Sequence, residues 1–226
     1  MSQVLALIPA YNEAAHIAEV VRSTRAHLPL LVVDDGSTDS TAATAEHAGA
    51  TVLRQVQNQG KGAALRAGFR YALERDYEAV LTLDADGQHD PAEIAKFLYA
   101  YGERHADLII GARTFDEMPF TRRLANTAGT WAFSWAVGQP IRDNQSGYRL
   151  ISRRLMEALL DSDESGFQFE VEMIVTCVQH AFTLDWVPIR TIYAGESSHI
   201  RPWQHVVNFF RVVWQTRRRL RQRKSA

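Results

Sequence analysis

Two carboxylates one residue apart, with an amide two residues further on, stand in Asp84-Ala85-Asp86-Gly87-Gln88. Their oxygens are hard donors. On one turn they suit a divalent cation such as Mg²⁺ or Mn²⁺ that also holds phosphate oxygens. An isolated Asp-x-Asp is more often a solvated, Asp-capped turn, so its meaning depends on where the chain places it. The apolar run Ala79–Leu83 before it reads as a buried strand. Pro91 after it opens a helical pattern, where a missing N–H is no loss. Asp84 and Asp86 therefore fall at the carboxyl end of a strand, on a strand-to-helix turn, where open α/β sheets bind ligands.

Other acids share that setting. Val4–Ile8 reads as a first strand delivering Tyr11 and Glu13, followed by a helical pattern to about His27. Leu30–Val33 reads as a second strand delivering Asp34 and Asp35, with Ser37 or Thr38 able to cap a helix over 41–47. A short strand at 51–53, a Gly-rich loop, an Ala-rich helix over 63–73, a helix over 91–101 and a strand at 107–110 continue the alternation. The pattern predicts an α/β domain with a doubly wound, mostly parallel sheet. Its carboxyl-end turns share one edge, so the acids converge, and something must offset their repulsion. Asp34 or Asp35 can accept from a base N–H or a ribose hydroxyl while Asp84 and Asp86 hold a metal. Alone, the Asp34-Asp35 pair is an ordinary Asx-turn. Gly60-Lys61-Gly62 is not a phosphate-binding P-loop, because Gln55 and Gly62 stand where that pattern needs Gly and Ser or Thr. Lys61 contributes a charge there, or marks a plain helix entry.

The 226 residues, 46% hydrophobic and 23% charged, describe a soluble globular chain able to bury a full core. One cysteine, Cys177, excludes an intramolecular disulfide framework and fits a reducing compartment. The apolar N-terminus lacks the basic region and cleavage site of a signal peptide. No run approaches the ~18 apolar residues of a membrane span. A net charge of −1 excludes a generic polyanion binder, although residues 217–224 carry six basic groups and no acid. After Gly111 the alternation fades. Residues 112–123 read as a basic loop, 124–137 as a helix, 142–150 as a polar loop entering a strand, 152–160 and 170–181 as helices, 184–189 as a strand and 202–223 as a last helix.

Four ordered segments carry a family resemblance: Ile8-Pro9-Ala10-Tyr11-Asn12-Glu13, Val32-Val33-Asp34-Asp35-Gly36-Ser37-Thr38-Asp39, Gly60–Gly68 and Asp84–Pro91. Over about residues 3–190 the chain resembles family-2 inverting glycosyltransferases. Within them it is similar to the branch of dolichyl-phosphate mannosyltransferase and bacterial polyprenyl-phosphate glycosyltransferases. The resemblance implies the Rossmann-like A-type glycosyltransferase fold. It assigns a nucleotide-diphosphate sugar to Pro9, Tyr11, Glu13, Asp34, Asp35, Lys61, Asp84, Ala85, Asp86 and Arg201. It assigns Mg²⁺ or Mn²⁺ to Asp84, Asp86 and Gln88. It turns Arg113, just past the fifth strand, and Arg122, Arg123, Ser146 and Arg149 toward an acceptor phosphate, which an Arg cluster can clamp bidentately.

The implied mechanism is attack on the anomeric carbon from the face opposite the diphosphate, with the metal as Lewis acid. Asp86 and Arg113 are the expected catalytic groups. A phosphate acceptor is already anionic, whereas a hydroxyl needs a base, for which Asp143 is the candidate and Glu170 and Glu172 are weaker ones. The segment 197–203, with His199 and Arg201, resembles a loop that closes over the diphosphate. Residues 1–198 are expected to be the catalytic domain, and 199–226 an amphipathic, basic helix. Its Trp203, Phe209, Phe210 and Trp214 beside arginines suit an anionic membrane surface. The expected partners are a nucleotide-diphosphate sugar, a lipid-linked acceptor and a membrane, with no nucleic acid. The expected location is the cytoplasm, at the inner face of the cell membrane. The rivals are a hydroxyl acceptor, a sugar nucleotidyltransferase and a non-catalytic membrane adaptor. The nucleotidyltransferase needs a Gly-rich basic loop where Tyr11-Asn12-Glu13 stands, and intact Asp84, Asp86 and Gln88 speak against an adaptor.

Overall fold

Strand β1 (Val4–Ala10) is buried along its whole length, as a strand covered by helices on both faces must be. Around it the computed structural model describes residues 3–113, 120–162, 169–190, 213–214, 216–218 and 220, with the side chains of 120–128 outside that description. The chain continues through α1 (Ile17–Thr24), β2 (Leu30–Asp34), α2 (Thr41–His47), β3 (Thr51–Arg54), α3 (Lys61–Glu74) and β4 (Ala79–Thr82). A 3₁₀ turn (Pro91–Glu93) leads into α4 (Ile94–Arg104), β5 (Leu108–Arg113) and α5 (Phe120–Val137). Strand β6 (Arg149–Ser152), α6 (Arg153–Leu159), α7 (Phe169–Gln179) and β7 (Leu184–Ile189) complete it.

The strands form one seven-stranded sheet in the order β3-β2-β1-β4-β6-β5-β7. Every pairing is parallel except those of β6, which runs antiparallel to both β4 and β5. The expected α/β, mostly parallel sheet is present, and the reversed strand is the addition. Pro188 sits in β7, at the sheet edge, where a missing ladder N–H is tolerated. Two apolar clusters cover the two faces. One gathers Leu5, Leu7, Leu65, Phe69, Phe133 and Phe169, and the other Ile8, Ile17, Leu81, Ile94, Phe97 and Tyr148. Gly68 lets α3 approach β1 closely, since a Cβ there would lie 2.3 Å from Leu7 Cδ1.

Three local expectations change. β5 runs through Arg113, so Gly111-Ala-Arg113 is strand and not the turn after it. Arg122 and Arg123 lie in the first turns of α5, not in a loop. The α2 helix is met by Asp39, not by Ser37 or Thr38: Asp39 Oδ1 accepts the Thr41 N–H at 2.9 Å. The expected helix start at Pro91 is present as a 3₁₀ turn, with the Asp90 side chain accepting from Ala92 N. Of the C-terminal helix, Val213 is buried in the same cluster as Phe133, Ala136 and Val137, and Leu220 packs against that cluster. Trp214 faces outward.

Candidate functional site

The turns after β1 and β2 are stitched together. Asn12 adopts φ 57°, a left-handed conformation that Asn tolerates better than most residues. From there its N–H donates to Ser37 Oγ at 2.9 Å, and its Oδ1 accepts the Thr38 N–H at 2.9 Å. Glu13 N–H donates to Thr41 Oγ1 at 2.7 Å. Beside them Tyr11 is exposed, while Pro9 and Ala10 end the buried strand. The two acids of β2 divide their work. Asp34 Oδ1 accepts the Ser37 N–H at 3.2 Å and closes its own turn. Asp35 accepts from two successive backbone groups of the loop before α3, Gln59 N at 2.9 Å and Gly60 N at 2.8 Å. Asp35 therefore shapes the loop that delivers Lys61. Gly36, at φ 72°, is required there, because a Cβ would lie 2.5 Å from the Gln57 backbone.

Lys61 opens α3 and reaches the acidic turn. Its Nζ donates to Asp84 Oδ1 at 2.6 Å and lies 2.7 Å from Glu170 Oε1. Burial works to lower the Lys61 pKa, but Asp84 and Glu170 outweigh it and raise the value. Burial likewise works to raise the Asp84 pKa, but Lys61 with the help of His89 and Arg149 outweighs it, so Asp84 is held below the ordinary carboxylate range. The Asp84 N–H donates to His89 Nδ1 at 3.0 Å, which leaves the ring's proton on Nε2, 3.8 Å from Asp84 Oδ2. Burial lowers the His89 pKa, so the ring stays neutral. His89 stacks on Tyr148, which stacks on Phe97. Asp86 Oδ1 accepts the Gln88 N–H at 2.9 Å, over Gly87 at φ 77°. Ala85 is buried between the two carboxylates.

For Mg²⁺ or Mn²⁺ the donor chemistry of this turn fits. Asp84, Asp86 and the Gln88 amide offer oxygens only. Among the described residues no three His, Cys, Asp or Glu side chains gather into a ligand set. A cation here would rely on these few groups, completed by water and phosphate oxygens, as Mg²⁺ commonly is.

The segment before β6 meets the acidic turn from the other side. Asp143, 2% exposed, makes a bidentate pair with Arg113, Nε to Oδ2 at 2.7 Å and Nη2 to Oδ1 at 3.0 Å. It also accepts from Gln145 N and Ser146 N. Burial works to raise its pKa, but Arg113 and these N–H groups outweigh it, so the value is lowered. A carboxylate held this way is a poor proton acceptor. The pair supplies an oriented guanidinium at the end of β5.

Two expected acceptor contacts are corrected. Arg149 is fully buried and spends its donors on backbone carbonyls: Ser146 O at 2.7 Å, Asn144 O at 3.2 Å and Glu170 O. Burial pulls its pKa down to about 10. It welds the loop before β6 to α7 and has no face for an acceptor phosphate. Ser146 is 2% exposed, with its N–H on Asp143 and its Oγ accepting from Tyr148 N at 3.4 Å, so it too is internal. The side chains of Arg122 and Arg123, and all of His199 and Arg201, lie outside the described residues.

Glu170, Gly147 and His89 carry more of the site than their sequence positions announced. Glu170, named from sequence only as a weaker candidate base, closes its carboxylate on Lys61. A Cβ on Gly147 would lie 2.6 Å from Asp84 Oδ2, so only glycine leaves room for that carboxylate. No spacing rule links residues 61, 84, 147 and 170. The one available signal was the need for counter-charge around converging acids.

The family model described as Glycosyl transferase family 2 matches residues 6–160. The polyprenol monophosphomannose synthase of Mycolicibacterium smegmatis is 34% identical over 202 residues, covering 82% of this chain and 76% of that protein. The undecaprenyl-phosphate mannosyltransferase of Micrococcus luteus is also 34% identical over 202 residues, covering 83% and 82%. Among solved structures, glucosyl-3-phosphoglycerate synthase from Mycobacterium tuberculosis, crystallised with Mn²⁺, uridine diphosphate and glucosyl-3-phosphoglycerate, superposes with a TM-score of 0.70 at 20% identity. The match covers 95% of this chain and 78% of that one, and establishes a shared fold.

Proposed function

The chain belongs to glycosyl transferase family 2, and from that premise we propose that it moves a sugar, with inversion, from a nucleotide-diphosphate donor to polyprenyl phosphate. It is a nucleotide-sugar-dependent glycosyltransferase of the polyprenyl-phosphate branch. The Arg113–Asp143 pair carries the choice of acceptor. A hydroxyl acceptor needs a base, and Asp143 is committed to Arg113 with its pKa lowered. A phosphate acceptor is already anionic and needs a cationic group to receive it. Arg113, held by Asp143 at the strand end, is that group.

On the donor side, the nucleoside lies over Pro9, Tyr11 and Glu13 and beside Asp34. Asp35 acts one step back, by fixing the loop that brings Lys61 to the diphosphate. Asp84, Asp86 and Gln88 would hold the divalent cation, which when bound would stabilise the leaving diphosphate. The family resemblance assigns Arg201 to the donor and Arg122 and Arg123 to the acceptor phosphate. The buried Tyr148–His89 stack keeps the acidic turn rigid, so the carboxylates need little reorganisation during reaction.

The enzyme works as a peripheral protein at the inner face of the cell membrane. No helix among the described residues is long and apolar enough to cross a membrane. Trp131, Trp135 and Trp214 are exposed, and the Arg217 guanidinium lies over the Trp135 ring at 3.7 Å. Exposed indoles beside arginines are what a headgroup layer accepts. The decisive experiment is mass spectrometry of products formed from a panel of nucleotide sugars with purified polyprenyl phosphate or a free polyprenol. Product from the phosphate alone is expected. Product from the alcohol alone would overturn the acceptor assignment.

A further inference from the structure

The Lys61 ammonium bridges two carboxylates, Asp84 Oδ1 at 2.6 Å and Glu170 Oε1 at 2.7 Å. Asp84 is a proposed cation ligand, and Glu170 lies far along the chain, at the start of α7. The other Glu170 oxygen, Oε2, is buried and has no hydrogen-bond partner among the described residues. A divalent cation and an ammonium cannot share one carboxylate oxygen without strong repulsion. A cation on either Asp84 oxygen therefore stands against the ammonium that Oδ1 already holds, and loosens it. Lys61 cannot simply be released, because an unpaired buried charge is costly and its side chain is only 21% exposed. It needs a second anion already within reach, with acceptor capacity to spare. Glu170 meets both conditions.

We propose that Glu170 is a positioning residue that retains Lys61 when the cation takes Asp84, so that the lysine passes from a shared attachment to Glu170 alone. The proposal rests on reading Asp84 as a cation ligand. The ammonium then stays beside the acidic turn, available to a diphosphate, instead of blocking the carboxylate. No atom is transferred. One ionic contact is exchanged for another.

The test is Mn²⁺ affinity, read by the electron paramagnetic resonance of free Mn²⁺. It uses the full chain without nucleotide, so that no diphosphate is present to hold Lys61, and thermal melts report folding. Lys61→Met removes the competitor and is expected to tighten Mn²⁺ by about tenfold or more. Glu170→Gln leaves Lys61 with Asp84 as its only carboxylate partner among the described residues and is expected to weaken Mn²⁺ by about tenfold. In the Lys61→Met background there is no lysine to retain, so adding Glu170→Gln is expected to change affinity by less than about threefold. If Glu170→Gln weakens binding equally in both backgrounds, Glu170 is only a nearby negative charge and the proposal falls. If it has no effect in either, Glu170 only tethers α7 and the proposal also falls. Lys61→Gln carries the same expectation should the methionine variant unfold below the assay temperature. Failure of the underlying reading looks different: the parent protein would then bind no Mn²⁺, or Asp86→Ala would leave Mn²⁺ affinity unchanged.

Discussion

Gly147→Ala is the sharpest probe of the acidic turn, because the structure gives the size of the perturbation. The new Cβ would lie 2.6 Å from Asp84 Oδ2, 2.7 Å from Oδ1 and 2.9 Å from Cγ, whereas ordinary contact begins at 3.4 Å. One partner must move by roughly 0.8 Å, the gap between those two distances. Neither moves freely. Asp84 Oδ1 is held by Lys61 and its backbone by His89, while the Gly147 carbonyl accepts from Thr82 Oγ1 at 2.7 Å. Overpacking of this kind costs about 1–3 kcal/mol. In a chain of this size each kcal/mol lowers Tm by about 2–4 °C. A displacement near 1 Å at a reacting centre costs about 10²-fold in rate. The assay pairs a thermal melt with initial rates of sugar transfer at saturating Mn²⁺. Gly102→Ala is the control: nothing lies within 4 Å of its Cβ, and it sits inside α4, so it is expected to keep full activity and gain slightly in stability. A Gly147→Ala enzyme that melts a few degrees low yet transfers at the parent rate would refute the placement of Asp84 in the donor site.

Asp86→Ala is expected to abolish divalent-dependent transfer while leaving the melt within about 2 °C, since the Asp86 carboxylate closes only a local turn with Gln88. Arg149→Met is expected to lower stability by about 3 kcal/mol or more, because three buried carbonyls lose their donor. Native stability by denaturant unfolding, with only acceptor affinity lost, would reinstate Arg149 as a phosphate ligand. Burial works to raise the Asp107 pKa, but bonds from Thr183 and Ser152 and the charge of Arg154 outweigh it, so the folded value lies below 3.8. Its stabilising contribution is therefore complete above the unfolded value and is lost as pH falls through the lower, folded one. Asp107→Asn should melt below the parent by a constant margin from pH 7 to pH 5, and that margin should shrink below about pH 4. Replacing Trp131, Trp135 and Trp214 together by Ala should cut partitioning onto anionic liposomes at least about tenfold without lowering Tm, while unchanged partitioning would remove these indoles from the membrane contact.

The parallel half of the fold was legible because its signals are local. Apolar runs such as Val4–Ile8 and Leu30–Val33, each ending in polar turn residues, state both the strand and the edge at which its acids emerge. Asp84 and Asp86 were found for that reason. Arg149 was misread because a charged side chain in a polar stretch normally faces water. Its burial depends on carbonyls of Ser146, Asn144 and Glu170, brought together only by tertiary structure. Glu170 was misjudged for the matching reason: an acid in a helix's first turn is already accounted for by the helix dipole, so nothing local asked for Lys61. Asp143 was legible as a site residue, but a sequence shows a carboxylate and not the guanidinium on it.

The reversed strand explains why several groups whose roles could not be read from sequence, Asp143, Gly147 and Arg149, cluster before and at the start of β6. A parallel strand delivers to the functional edge only the turn at its carboxyl end. β6 runs the other way, with Arg149 paired to Thr82 and Ser152 to Ala79, so the segment that precedes it arrives where β4 finishes. That segment holds Asp143, Ser146, Gly147 and Tyr148. One reversal therefore places two consecutive pieces of chain, 83–90 and 143–148, against each other across neighbouring strands. Through this arrangement Arg113, at the end of β5, meets Asp143, and Gly147 makes room for the Asp84 carboxylate. With β6 parallel, residues 143–148 would sit at the opposite edge. Gly147 would not meet Asp84, and Arg113 would lose the carboxylate that aims it.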